Sequence, residues 1–138
     1  ESLRPLVRKA SLVVDLKTSG DLACVPFPGV LEQIMTNFVN NTVIHAARPD
    51  GKPVEVDVSI ARQPDGTVQL SYADRGAGMR PEVRAKAFQP FFTTQRTGGT
   101  GLGLHIVQSL VADVLHGKIT LDSTPSEGTK FVITFAVE

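Results

Sequence analysis

The sequence predicts an α+β fold: a two-layer α/β sandwich whose mixed, mostly antiparallel sheet carries helices on one face. Three observations predict it. Stretches of period-two alternation come in pairs joined by turn residues, which is the signature of hairpins. Two segments with apolar residues at helical spacing are set between those pairs. The chain has 138 residues, enough for one domain (1–138) to bury a core without disulfide help.

The elements follow in order. Ser11 to Lys17 reads as a short strand, Gly20-Asp21 as a turn, and Leu22 to Val25 as a second short strand. Pro26 and Pro28 break this pattern, and a helix starts near Pro28, where a missing N–H costs nothing. Leu31, Ile34, Met35, Phe38, Val39 and Val43 form its apolar face, and Arg48-Pro49-Asp50-Gly51 ends it. Val54 to Ile60 alternates strictly, Pro64-Asp65-Gly66 turns, and Val68 to Tyr72 returns towards Asp74. A short helix over Pro81 to Ala87 precedes a long loop from Pro90 to Gly101. A second amphipathic helix, Leu102 to Leu115, stops near Gly117. Two last strands, Ile119 to Leu121 and Lys130 to Val137, flank a Pro125 to Gly128 turn.

Bulk properties narrow the function classes. Fourteen Lys and Arg balance fourteen Asp and Glu, so no basic field points to nucleic acid. Cys24 is the only cysteine, which rules out an internal disulfide and agrees with a reducing compartment. No apolar run approaches the roughly 20 residues of a membrane span, and no signal peptide is visible. The chain begins with Glu1, so it is expected to be cut from a longer protein.

Three clusters carry possible chemistry. Asp74 ends a strand just before Gly76 and Gly78; its carboxylate can accept from an exocyclic amine such as adenine N6, although Asp-x-Gly is also a common plain turn. Asn37 and Asn41 are four apart and share one helix face at the border of the apolar stripe, where amides can reach phosphate oxygens and a magnesium ion. The same spacing also describes a solvated helix edge. Gly98, Gly99, Gly101 and Gly103 run into a helix start, which suits phosphates at a helix N-terminus, or a flexible linker. The run is neither a dinucleotide fingerprint nor a Walker A loop: the third glycine spacing is wrong and no Gly-Lys-Ser/Thr follows.

Taken together in this order, the motifs resemble the catalytic, ATP-binding domain of two-component sensor histidine kinases, of the Bergerat-type ATPase and kinase superfamily. Leu31 to Ala46, with Asn37, Asn41 and His45, resembles the family's N box. Asp74 to Met79 resembles the first glycine box, Phe88 to Thr94 the F box, and Gly99 to Leu104 the second glycine box. Gly128-Thr129-Lys130-Phe131 resembles the closing motif before the last strand. The resemblance implies a Bergerat ATP-binding fold, with ATP and Mg2+ as ligands. It implies that Asp74 binds the adenine amine, with Gly76, Gly78 and Thr129 around the base. Asn41 would ligate magnesium and Asn37 would help hold the phosphates, the pair forming the catalytic amides. His45 would sit near phosphates or ribose. Thr94, Arg96, Gly99, Thr100, Gly101, Leu102, Gly103 and Leu104 would form a lid over the phosphates, with Arg96 a candidate for the γ-phosphate and Phe91 and Phe92 anchoring the lid's base.

The departures also carry information. Ile44 stands where many members have a phosphate-binding lysine, and Met79 replaces a commoner isoleucine. Hydrolysing members place a glutamate where this chain has Asn37, and an amide is no general base. Glu32 lies roughly 180° around the helix from Asn41. A kinase whose acceptor brings its own nucleophile is therefore expected over a hydrolase. None of His45, His105 and His116 stands in the family's acceptor pattern, so the chain is expected to bind ATP without phosphorylating itself. The implied partners are a separate helical dimerisation and phosphoacceptor domain of a homodimeric parent, and a response regulator downstream. No nucleic acid or direct membrane contact is expected. The implied location is cytoplasmic, on a parent that can be anchored in a bacterial inner membrane. Two other readings share the pocket: a non-catalytic nucleotide-sensing module and an anti-sigma-type protein serine kinase.

Overall fold

The computed structural model describes residues 12–19, 27–45, 52–90 and 103–136, with the side chains of residues 12–14, 19, 44 and 45 excepted. Five strands form one sheet in the order β1-β2-β3-β5-β4. They are β1 (Leu12–Ser19), β2 (Val54–Arg62), β3 (Thr67–Asp74), β4 (Lys118–Thr124) and β5 (Gly128–Ala136). β1 pairs with β2 in parallel, and the other three pairings are antiparallel. The helices are α1 (Pro28–His45), α2 (Pro81–Arg84) and α3 (Gly103–Asp113). The expected mixed, mostly antiparallel sheet is thus the observed one.

α1 starts where Pro28 fits a first turn, and the N–H groups of Val30 and Leu31 both donate to the Phe27 carbonyl, at 3.0 and 3.1 Å. Its apolar face is the one the spacing predicts: Ile34, Phe38 and Val39 are fully buried, with Leu31, Met35 and Val43 packed beside them. A parallel β1–β2 pair requires a crossover, and α1 lies in the connection between them. The β2–β3 turn closes as expected at Pro64–Gly66, with Asp65 Oδ1 accepting from the Thr67 N–H at 3.0 Å and the Thr67 hydroxyl at 2.6 Å.

Several boundaries differ from expectation. α2 keeps one turn only; the chain then continues in shorter i→i+3 bonds, Lys86 to Val83, Ala87 to Arg84 and Gln89 to Lys86. α3 ends at Asp113, two residues short, because the Leu115 N–H bonds to Leu110 and His116 adopts φ 52°, closing the helix before Gly117. β5 begins at Gly128, so the glycine–threonine motif lies inside the strand. The strand expected over 22–25, the turn at Arg48–Gly51 and most of the loop after Pro90 lie outside the described residues.

The core lies between the helices and one sheet face. Val54, Val56 and Val58 of β2, Val68, Leu70 and Tyr72 of β3, and Phe131, Ile133 and Phe135 of β5 all point into it. Val107 and Val111 of α3 meet them, with Leu104 beside. Phe38 sits at the centre, stacked on Phe131 at 4.5 Å and tilted on Tyr72 at 5.1 Å.

Candidate nucleotide site

At one end of this core face the side chains change from apolar to polar. The register aligns Val56 with Asp74, Asp74 with Thr129, and Thr129 with Ser123. The row before it is Val58, Tyr72, Phe131 and Leu121. A strand period of two keeps both rows on the same face, so the last row places Asp74, Thr129 and Ser123 against the end of the core, all buried.

Asp74 is 3 % exposed. Its Oδ1 accepts the Gly76 N–H at 3.0 Å and its Oδ2 the Thr42 hydroxyl at 3.1 Å. Burial pushes its pKa up, while bonds from the Gly76 N–H, the Thr42 hydroxyl and the Thr129 N–H pull the other way. A carboxylate offers about four acceptor sites. The Gly76 N–H and the Thr42 hydroxyl take one on each oxygen, which leaves acceptor capacity for a further donor. Thr42 Oγ1 also lies 2.7 Å from Tyr72 Oη and 3.2 Å from the Phe38 carbonyl. Tyr72 is fully buried, and desolvation drives its phenol pKa far up, so the hydroxyl stays neutral.

The loop after Asp74 is docked on the β4–β5 turn. The Met79 N–H donates to Ser123 Oγ at 2.8 Å, and the Ser126 N–H to the Ala77 carbonyl at 2.7 Å. Ser123 Oγ in turn bonds the Gly128 carbonyl at 2.8 Å and Thr129 Oγ1 at 2.9 Å. Between these bonds Gly78 has φ 72°, and a Cβ there would sit 2.8 Å from the Thr124 carbonyl carbon and closer still to its oxygen. The glycine is thus required by packing against β4.

α1 links this end to the start of α3. Asn37 and Asn41 lie one turn apart on α1, both half-buried, while Asn40 is exposed. Asn37 Oδ1 is 4.0 Å from where a Cβ on Gly103, the first residue of α3, would stand. Asn37 Nδ2 is buried and has no hydrogen-bond partner among the described residues. An unpaired buried donor is costly, so this amide fits a ligand oxygen beside the α3 N-terminus. Among the described residues no group of three or more His, Cys, Asp or Glu could hold a metal ion alone. Asn41, one turn from Asn37 on the same helix, carries an amide oxygen, the kind of ligand a hard cation takes.

Asn37, Asn41, Asp74, Gly76, Gly78, Gly103 and Thr129 are therefore the expected site residues gathered at this end of the fold. Leu104 differs: its side chain is 8 % exposed within the core cluster, because it continues the apolar stripe of Val107 and Val111. The side chain of His45 and all of Phe91, Phe92, Thr94, Arg96, Gly99, Thr100, Gly101 and Leu102 lie outside the described residues. Sequence reading missed Thr42, Tyr72 and Ser123. The signal for Thr42 was its place directly after Asn41; Tyr72 and Ser123 gave none beyond strand alternation. A small pocket lined by Leu31, Met35, Ile60, Val68, Leu70 and Phe135 offers only apolar surface and no chemistry.

Residues 28–138 match the family described as histidine kinase-, DNA gyrase B-, and HSP90-like ATPase. The sensor histidine kinase AtsR of Burkholderia thailandensis is 30% identical over 145 residues, which span 100% of this chain and 23% of AtsR. The chain thus spans about a quarter of the length of that relative. The catalytic domain of histidine kinase ThkA superposes with a TM-score of 0.75 at 26% identity, covering 98% of this chain and 85% of that one. Full-length ShkA in complex with AMPPNP superposes at 0.73 with 27% identity, covering 99% of this chain and 28% of ShkA.

Proposed function

This chain belongs to the histidine kinase-, DNA gyrase B- and HSP90-like ATPase family, and from that premise we propose that it is the ATP-binding catalytic domain of a sensor histidine kinase. In this reading all 138 residues form one catalytic unit. It passes the γ-phosphoryl group of ATP to a histidine on a separate helical dimerisation domain of a homodimeric parent. The imidazole nitrogen forms the new N–P bond, the bond from the γ-phosphorus to the bridging oxygen breaks, and ADP leaves. A response regulator then takes the phosphoryl group. Described helices include none long and apolar enough to cross a membrane. The proposed location is the cytoplasmic side, with the parent free-standing or membrane-anchored.

The observation that carries the reading is the buried Asp74 carboxylate, held on both oxygens yet with acceptor lone pairs to spare. An exocyclic amine of adenine fits that demand. Asn37 Nδ2, buried and unpaired, is assigned to a phosphate oxygen. Asn41 is assigned to Mg2+, which when bound supplies positive charge to the phosphates. Gly76, Gly78 and Thr129 are assigned to the walls of the base site. Gly103 and the α3 N-terminus are assigned to the phosphates. Thr94, Arg96, Gly99, Thr100, Gly101, Leu102 and the backbone of Leu104 complete the proposed phosphate lid, and His45 is assigned near the phosphates or ribose. The amide at Asn37, unlike a carboxylate, cannot act as a general base towards water, which favours transfer over hydrolysis.

Thermal unfolding with ATP or ADP, with and without magnesium, tests this. Ligand at 100 times Kd is expected to stabilise the wild type by about 2.7 kcal/mol, and Asp74→Asn is expected to erase the gain. A wild type unmoved by either nucleotide overturns the reading.

A further inference from the structure

The Thr42 hydroxyl lies within reach of three oxygens and owns a single proton. Those oxygens are Tyr72 Oη at 2.7 Å, Asp74 Oδ2 at 3.1 Å and the Phe38 carbonyl at 3.2 Å. Tyr72 is fully buried and Thr42 is 1 % exposed, so bulk solvent does not reach these groups. A buried phenol needs an acceptor for its proton, and Thr42 Oγ1 is the partner at its Oη. Tyr72 therefore donates to Thr42. Thr42 then has its own proton to give, and a carboxylate outcompetes a peptide carbonyl that already serves the helix. The bonds run one way: Tyr72 to Thr42 to Asp74 Oδ2.

We infer that Thr42 and Tyr72 are positioning residues that hold Asp74 as a pure acceptor and thereby select a 6-amino purine over a 6-oxo purine. The inference rests on the nucleotide reading above. With Oδ2 receiving Thr42 and Oδ1 receiving Gly76, the ionised carboxylate is supported on both sides and has only lone pairs to offer a base. A 6-amino group donates to such a site. A 6-oxo group meets lone pair against lone pair and is rejected, which is the asymmetry that gives polar sites their selectivity. Without the Thr42 donor, burial weighs more heavily on the charge. A protonated Asp74 carries an O–H that a 6-oxo group can accept, and the discrimination relaxes.

The test compares ATP and ITP affinity by calorimetry on the 138-residue chain, with the melting temperature of each variant as a fold check. Thr42→Val keeps the shape and removes the hydroxyl; it is expected to lower the ATP-to-ITP affinity ratio about tenfold. Tyr72→Phe removes only the phenol oxygen and is expected to lower the ratio about threefold. Thr42→Ser is expected to restore it to within about twofold of wild type. A merely structural role would weaken both nucleotides alike and leave the ratio unchanged. A folded Thr42→Val with the wild-type ratio overturns the proposal while leaving ATP binding intact. If Thr42→Val does not fold, an unchanged ratio in Tyr72→Phe overturns it instead. A wild type that binds neither nucleotide overturns the nucleotide reading and this inference together.

Discussion

At Asp74 burial holds the pKa above the ordinary carboxylate value, against bonds from Gly76, Thr42 and Thr129. In the window between the unfolded and folded pKa values the native state binds more protons than the unfolded chain. Stability therefore falls as pH rises through that window, and above it the full cost of the buried charge remains. Asp74→Asn removes the charge but keeps an oxygen for the Gly76 N–H. Its apo form is expected to be more stable than wild type at neutral pH, with the gap closing as pH falls towards the unfolded carboxylate pKa. Urea midpoints for both proteins across that pH range check the sign; a gap that widens on acidification would contradict it. The carboxylate itself was legible in the sequence, because an aspartate ending a strand before Gly76 and Gly78 is a recognisable pattern. Its supports were not. Thr42 and Tyr72 are separated from each other by 30 residues, and Thr42 from Asp74 by 32, and neither helix nor strand periodicity marks such a meeting.

Around the site, the loop after β3 is hydrogen-bonded to the end of β4 and the β4–β5 turn. Gly78 is pressed against Thr124 at a left-handed φ of 72°. Gly78→Ala is expected to cost roughly 2–4 kcal/mol, since both the backbone angle and the carbonyl contact are violated. Gly29, in the first turn of α1, meets nothing within 4 Å of an added Cβ. Gly29→Ala is expected to be neutral or to stabilise by up to about 1 kcal/mol. Chemical denaturation of both variants measures the contrast. Helix and strand identities were legible because each carries its own period: 3.6 in α1 and α3, two in β2, β3 and β5. Ends were less so. α2 stops after Arg84 because i→i+3 bonds take over from it, a choice made by local hydrogen bonding that composition does not reveal.

Across the whole molecule, Phe38 joins the two layers through Phe131 and Tyr72. Phe38→Ala is expected to cost about 3–5 kcal/mol, a large share of the 5–15 kcal/mol typical of a domain. Because the same helix carries Asn37, Asn41 and Thr42, this change is also expected to weaken nucleotide binding, measurable in the same calorimetric titrations. Element types, the apolar face of α1, the mixed and mostly antiparallel character of the sheet and the ordered motifs of the family could all be read from the chain alone. These are local properties, written in spacing and turn chemistry. Tertiary structure alone decided that Val56, Asp74, Thr129 and Ser123 share one row, and that Thr42 and Tyr72 close on the carboxylate. Register between strands distant in sequence is fixed by how whole faces pack, so the polar end of the core exists only once the sheet has formed.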